Sequence, residues 1–104
     1  MKVLTEGHRY DLENFENKQS TGQILQFIEK VPVAEGSTEL RTVNDGTTNE
    51  EILTVLLDRL NFLQAKFPCR ENALAITRCE EAKMWLAART ANRIARGVEG
   101  KQIP

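Results

Sequence analysis

Arginine side chains gather near the end of the chain in a spacing that suits the binding of an anion. Arg89, Arg93 and Arg96 are separated by four and then three residues, and Lys101 follows them. From Lys83 to Lys101 there are five basic residues and one acidic residue. One or two cations would complement the negative end of a helix, each contributing roughly a few tenths of a kcal/mol. The additional positive charge predicts a polyanionic ligand, because an anion would relieve the repulsion among these side chains.

An aromatic residue, Phe62, is a second candidate for ligand contact. Val55, Arg59, Phe62 and Lys66 are spaced four, three and four residues apart, so they share one face of a predicted helix. This face lies away from the main apolar stripe. Phe62 could pack against the sheet or a partner subunit, or it could form a stacking platform beside two cations. The spacing alone leaves both interpretations open.

Asn72 lies near the predicted start of the second helix, where unpaired backbone N–H groups attract phosphates. Its side chain offers a donor and an acceptor that a base edge or a ribose hydroxyl could use. The simpler interpretation is a helix-start residue that bonds to its own backbone, and the residue pattern by itself favours that interpretation.

Patterns for catalysis are scarce. The one histidine, His8, has no evident partner, and Cys69 is remote from it in sequence. No P-loop, dinucleotide-binding glycine pattern or metal-ligand spacing is present. We therefore expect a protein that is not an enzyme and that holds no metal or cofactor.

The net charge and the two cysteines argue against several other classes of protein. The net charge of −1 provides no global field for nucleic acid or an acidic membrane. Cys69 and Cys79, ten residues apart on one predicted helix, would be roughly 15 Å apart along its axis, too far for a disulfide. We expect free thiols, a soluble intracellular chain, and neither a signal peptide nor a transmembrane segment.

Two helices must position these residues. Thr48 and Glu51 match a capping box, and apolar residues at spacings of three and four predict a helix from about Asn49 to Lys66. The predicted stripe consists of Ile52, Leu53, Leu56, Leu57, Leu60 and Leu63. A second helix is predicted from Pro68 to about Arg96 with Gly97 after its end, and Ala75, Cys79, Ala82 and Leu86 facing inward. So short a break predicts an antiparallel hairpin.

The first 47 residues are typical of strands and turns. "GHRYDLENF", "GQILQFIEKV" and "ELRTV" predict a three-stranded antiparallel meander. The predicted fold class is thus α+β, with a small N-terminal sheet followed by the helical hairpin. We expect one domain over residues 1–104, composed of a meander (1–47), a hairpin (48–97) and a C-terminal tail (98–104). Oligomerisation would help a chain this short to bury enough surface.

The most specific motifs lie in and beside the hairpin: "NDGTTNEE", "PCRENALAIT", "EEAKMWL" and "RTANRIARGVEG". With them, residues 23–100 resemble the phage Thoeris anti-defence sponge family, of the first-described type. The hairpin is also similar to the domain shared with the phage anti-CBASS cyclic-nucleotide sponge. The resemblance implies a homo-oligomer, dimeric or hexameric, with ligand pockets at subunit interfaces. It also implies action in the cytoplasm of the infected bacterial host.

The implied activity is sequestration of a cyclic immune signal without its degradation. The implied ligand is a cyclic ADP-ribose isomer closed through a ribose–ribose linkage, and some members also take CBASS cyclic di- or trinucleotides. By position, the resemblance implies that Phe62 stacks on adenine, that Asn72 contacts the ligand and that Arg89 and Arg93 bind its phosphates. Arg70 and Arg59 are neighbours with weaker support.

Alternatives remain at this point. The chain could instead sequester CBASS cyclic nucleotides, bind nucleic acid through its arginine face, or serve as a structural phage protein whose hairpin drives oligomerisation. The near-zero net charge argues against nucleic acid as partner.

Overall fold

A computed structural model describes all residues from 1 to 104 and divides them into two compact units. The first unit is Met1–Thr48 and the second is Asn49–Pro104. The boundary between them lies next to the predicted end of the strand-rich region. The first unit holds only strands and turns, and the second holds both helices.

Five short strands make up the first unit. Strands β1 (Lys2–Thr5), β2 (Arg9–Leu12) and β3 (Gln23–Gln26) form an antiparallel sheet in that order. Strands β4 (Glu29–Pro32) and β5 (Leu40–Asn44) form a separate antiparallel pair. Together with the helices of the second unit, this confirms an α+β fold with a three-stranded antiparallel sheet ahead of a helical hairpin.

The composition of the three-stranded sheet differs from the prediction. The first strand, Lys2–Thr5, was not predicted, and the predicted strand over 22–31 is two strands in two different sheets. The backbone changes partner between them: the Phe27 N–H donates to His8 O at 2.7 Å, whereas the Ile28 N–H donates to Thr47 O at 2.9 Å. The residue pattern of this stretch carries no sign of such a change, because the order of apolar and polar residues indicates which face of a strand is buried and not which strand it pairs with.

The helices are close to their predicted bounds. Helix α1 spans Asn49–Lys66 as predicted, and α2 spans Arg70–Ala95, two residues shorter at its start and one at its end than predicted. The N-cap of α2 is Cys69, whose Sγ accepts from the Asn72 N–H at 3.4 Å. Pro68 therefore precedes the cap and does not occupy the first helical position. Neither helix carries an apolar stretch sufficient to traverse a bilayer.

Replacing Cys69 with serine should stabilise the protein. A hydroxyl is a better acceptor than a thiol for the N–H groups at a helix start, and serine is among the preferred N-cap residues. We expect a gain of roughly 0.5 kcal/mol in the free energy of unfolding, measured by thermal or urea denaturation. Cys79→Ser is the matched control, since Cys79 lies half-buried within α2 and caps nothing. An equal gain in both variants would contradict the capping role.

A side-chain amide closes the turn between the helices. Gln64 Nε2 donates to Cys69 O at 3.0 Å, and the Cys69 N–H donates to Gln64 Oε1 at 3.0 Å. This reciprocal pair ties the last turn of α1 to the cap of α2. The direction of the hairpin therefore depends on one amide in addition to helix packing.

The facing sides of the helices are only half-buried. The predicted inward residues of α2, Ala75, Cys79, Ala82 and Leu86, all lie on its more buried side. Of the predicted α1 stripe, Leu56 departs, since it is 43% exposed. No hydrophobic side chain in the chain is fully buried, and fifteen large ones are exposed. Apolar exposure of this extent is unusual for the surface of a single soluble chain.

Helix α2 ends where glycine was predicted to end it. The Val98 N–H donates to Arg93 O and the Gly97 N–H to Ile94 O, both at 3.0 Å, which is the Schellman pattern. Gly97 has a φ of +71°, in the left-handed region. The residues after α2 are thereby turned back along the helix that they leave.

Gly97→Ala should destabilise the protein by about 1–2 kcal/mol, because a Cβ disfavours left-handed backbone. A Cβ at this position would meet no atom within 4 Å, so the cost is conformational and not steric. Gly97→Asn is the control, since asparagine tolerates this conformation better than alanine. Equal unfolding temperatures for the alanine variant and the parent protein would contradict the prediction.

Candidate functional site

The arginines at the end of α2 have different surroundings. Arg89 is exposed and makes no hydrogen bond or ion pair within the chain. Arg93, four residues later, is 6% exposed and is the only buried residue in the protein. Arg96 is exposed but donates to Asn92 Oδ1 at 2.9 Å and to Pro104 O at 2.8 Å.

The Arg93 guanidinium is directed at the main chain of residues 98–104, which we call the return segment. Its Nη2 donates to Val98 O at 2.9 Å and to Lys101 O at 2.7 Å, and its Nη1 donates to Ile103 O. Its Nε lies 3.4 Å from Glu99 Oε2. A burial this complete is tolerated because nearly every N–H of the cation has a partner.

A surface depression of about 440 Å³ lies between the end of α2 and the return segment. Its lining residues are Arg89, Arg93, Lys101, Gln102, Ile103 and Pro104. Two arginines and a lysine make this a basic recess, and Arg89 is the guanidinium in it without an intrachain partner. The recess thus has the charge and the open donors to hold an anionic group.

Phe62 lies on the exposed side of α1. The residue is 55% exposed, and Lys66 Nζ lies 4.5 Å from the centroid of its ring. Within one chain, Phe62 is therefore not a core residue. An open aromatic face beside a cation can stack on a base or be covered by another subunit.

Asn72 and Arg70 occupy the first turn of α2. Arg70 is the first helical residue and is exposed, and Asn72 is half-buried with its N–H bonded to the cap at Cys69. The hydrogen bond at Asn72 is made by its backbone N–H and not by its side chain. For its side chain, ligand binding stays a prediction.

The five predicted site residues form two groups at opposite ends of the hairpin. Phe62, Asn72 and Arg70 lie close to the turn between the helices, at the end of α1 and the start of α2. Arg89 and Arg93 lie in the last two turns of α2. Asn72 and Arg89 are separated by 17 residues of continuous helix, roughly 25 Å along its axis. One chain does not bring both groups to one compact ligand.

Two features were missed by the sequence reasoning. The return segment and the role of Glu99 had no signal beyond the glycines at 97 and 100, which both adopt left-handed backbone. A second depression, of about 560 Å³, lies on α2 and is lined by Thr77, Glu80, Glu81, Met84 and Trp85. It combines exposed apolar side chains with two carboxylates, which does not suit a diphosphate.

No group of three or more His, Cys, Asp or Glu side chains is arranged to hold a metal ion.

Comparison with known proteins gives two matches. The family model described as the Acb2/Tad1 hairpin domain matches residues 24–91. A protein named Thoeris anti-defense 1, from Bacillus phage SBSphiJ7, is 45% identical over 83 residues. The match covers 68% of this chain and 58% of that relative's length. Phe62, Arg70, Asn72 and Arg89 fall within the family match, whereas Arg93 and the return segment follow it.

Proposed function

Because the chain belongs to the family of the Acb2/Tad1 hairpin domain, we propose that it is a phage anti-defence protein that sequesters a cyclic nucleotide immune signal. The proposed ligand is a cyclic ADP-ribose isomer. The protein would bind it in the cytoplasm of the infected host and would not degrade it. The name of its relative from Bacillus phage SBSphiJ7, Thoeris anti-defense 1, supports the proposal that the defence system it counters is Thoeris.

The proposed mechanism of ligand binding rests on the separation of the two groups of site residues. The aromatic and amide side chains lie at one end of the hairpin, and the arginines lie roughly 25 Å away at the other. Two copies that associate with their α2 helices antiparallel would set the Phe62 end of one against the Arg89 end of the other. Such a two-fold arrangement creates the same composite pocket twice.

The exposed apolar surface supports this association. Val55 and Phe62 on α1, and Leu74, Met84 and Trp85 on α2, are among the large side chains left open by the single chain. Burying them against a second copy would supply the hydrophobic stabilisation that neither unit obtains internally. The proposed homo-oligomer therefore serves both stability and site assembly.

Each group has a separate task in the pocket. Arg89 and Arg93 complement the diphosphate through charge-assisted bonds, which are shorter and stronger than bonds between neutral groups. Phe62 stacks on the adenine ring, Asn72 reads a base edge or ribose hydroxyl, and Arg70 adds positive charge beside it. Affinity sufficient for sequestration requires a pocket that is formed before binding, and an oligomer of rigid hairpins meets that requirement.

A capture-and-release experiment tests the proposal. The protein is incubated with the product mixture of a TIR-domain enzyme, separated from free nucleotide and heated, and the released compound is identified by mass spectrometry. We expect an intact cyclic ADP-ribose isomer in stoichiometric amount. Linear product that accumulates with time would show an enzyme and overturn the proposal.

The same experiment separates the alternative ligands. A parallel incubation with CBASS cyclic di- and trinucleotides identifies a sponge for that class if only those compounds are retained. Retention of neither class would leave the structural role of the hairpin as the better account. Sedimentation velocity on the same sample reports whether the chain is monomeric, which would contradict the composite pocket.

A further inference from the structure

One side chain makes the hydrogen bonds that cross the break between the two helices. The main-chain bonds that flank the break stay on their own side of it. On the α1 side, the Phe67 N–H donates to Leu63 O at 2.9 Å. On the α2 side, the Ala73 N–H donates to Cys69 O at 3.2 Å. The polar link from one helix to the other is therefore the amide of Gln64.

Cys69 is the residue that this amide holds. Its N–H donates to Gln64 Oε1 and its carbonyl oxygen accepts from Gln64 Nε2, both at 3.0 Å. Its Sγ in turn accepts from the Asn72 N–H at 3.4 Å. A series of hydrogen bonds thus runs from the last turn of α1, through the N-cap, to the first turn of α2.

The three predicted site residues at this end of the hairpin lie on both sides of that series. Phe62 precedes Gln64 by two residues on α1, and Arg70 and Asn72 lie in the first turn of α2. A slide of one helix along the other would separate Phe62 from Asn72 without unfolding either helix. The facing sides of the helices are only half-buried, so apolar packing alone constrains such a slide weakly.

We propose that Gln64 is a positioning residue of the ligand site, which sets the place of Asn72 relative to Phe62 through Cys69. The inference rests on the proposed function, because it concerns the same pocket. The oxygen and the nitrogen of the Gln64 amide are both bonded to Cys69, so Gln64 acts on the ligand through its neighbours. Side chains that are arranged before binding lose less conformational entropy when the ligand arrives.

Two substitutions at Gln64 test the assignment by titration calorimetry with the purified cyclic ADP-ribose isomer. Gln64→Ala removes both bonds to Cys69. Gln64→Glu keeps an acceptor for the Cys69 N–H but, at neutral pH, has no donor for its carbonyl oxygen. Asn61→Ala is the matched control, since Asn61 is also an amide of α1 but donates to Leu57 O at 2.9 Å, within its own helix.

We expect Gln64→Ala and Gln64→Glu each to weaken binding by roughly fivefold to tenfold, with Asn61→Ala unchanged. Thermal unfolding and sedimentation velocity on the same samples establish that each variant is folded and assembled at the temperature of the titration. The comparison then reports the arrangement of the site and not the amount of folded protein.

A double-mutant cycle separates positioning from a general effect on the fold. In an Asn72→Ala background, Gln64→Ala should weaken binding by a smaller factor than in the parent protein, because the amide that it places is already absent. In an Arg89→Ala background the factor should equal that in the parent. Arg89 lies roughly 25 Å from Asn72 along α2 and is not held by Gln64.

Two results would overturn the inference and leave the proposed function intact. Unchanged affinity in Gln64→Ala would show that helix packing alone arranges the site. An equal loss in the parent and Asn72→Ala backgrounds would show that Gln64 acts by direct contact with the ligand or through the fold as a whole. A parent protein that binds no cyclic ADP-ribose isomer would instead overturn the proposed function, and the positioning role with it.

Discussion

Replacing Arg89 with alanine is expected to weaken binding of the cyclic ADP-ribose isomer by roughly tenfold to a hundredfold. A hydrogen bond to a charged group contributes about 1.5–3 kcal/mol, and each 1.4 kcal/mol is about tenfold in affinity. Arg89 is exposed and has no intrachain partner, so its removal should change the free energy of unfolding by less than about 0.5 kcal/mol. Titration calorimetry and thermal unfolding on the same variant measure the two quantities.

Arg78→Ala is the control for Arg89→Ala. Both side chains are exposed arginines of α2, but Arg78 is ion-paired with Glu81 and lies outside the basic recess. The control should bind as the parent protein does, which would exclude a general effect of lost positive charge. Equal weakening in both variants would indicate non-specific attraction of the ligand, and unchanged affinity in Arg89→Ala would remove Arg89 from the site.

Phe62→Ala is the second substitution with a large expected effect. Stacking of an aromatic side chain on a base contributes about 1–3 kcal/mol, so affinity should fall by roughly fivefold to a hundredfold. Because Phe62 is 55% exposed and lies on the outer side of α1, the folded chain should lose little packing when the ring is removed. Phe62→Trp should retain most of the affinity, since it keeps an aromatic face.

Val55→Ala is the matched control for Phe62→Ala. Val55 lies on the same face of α1 and is 60% exposed, but it has no ring to offer a base. Sedimentation velocity of both variants separates stacking from assembly, because a residue that only holds subunits together would dissociate the oligomer. Phe62→Ala could dissociate most of the oligomer while the fraction that stays assembled binds ligand at full affinity. That result would assign Phe62 to the subunit interface and not to the ligand.

Helices were predictable from the sequence because their signals are local. The capping residues Thr48 and Glu51, the apolar spacing through Leu63 and the glycine at 97 all lie within a few residues of the structure that they specify. The sheet was less predictable. Nothing near Phe27 indicates that its neighbour Ile28 turns to Thr47, since that partner lies nineteen residues further along the chain.

The amino-acid sequence by itself determined the α+β class, the bounds of the hairpin and the presence of unbalanced arginines at its end. Only the tertiary structure decided that Arg93 is buried while Arg89, one turn earlier, stays open. Helical spacing reports which side chains share a face, but it does not report which segment returns to cover that face. The burial of Arg93 depends on a left-handed glycine and on main-chain carbonyl groups that accept its hydrogen bonds. Because every residue has a main-chain carbonyl, these acceptors cannot be identified from the residue types.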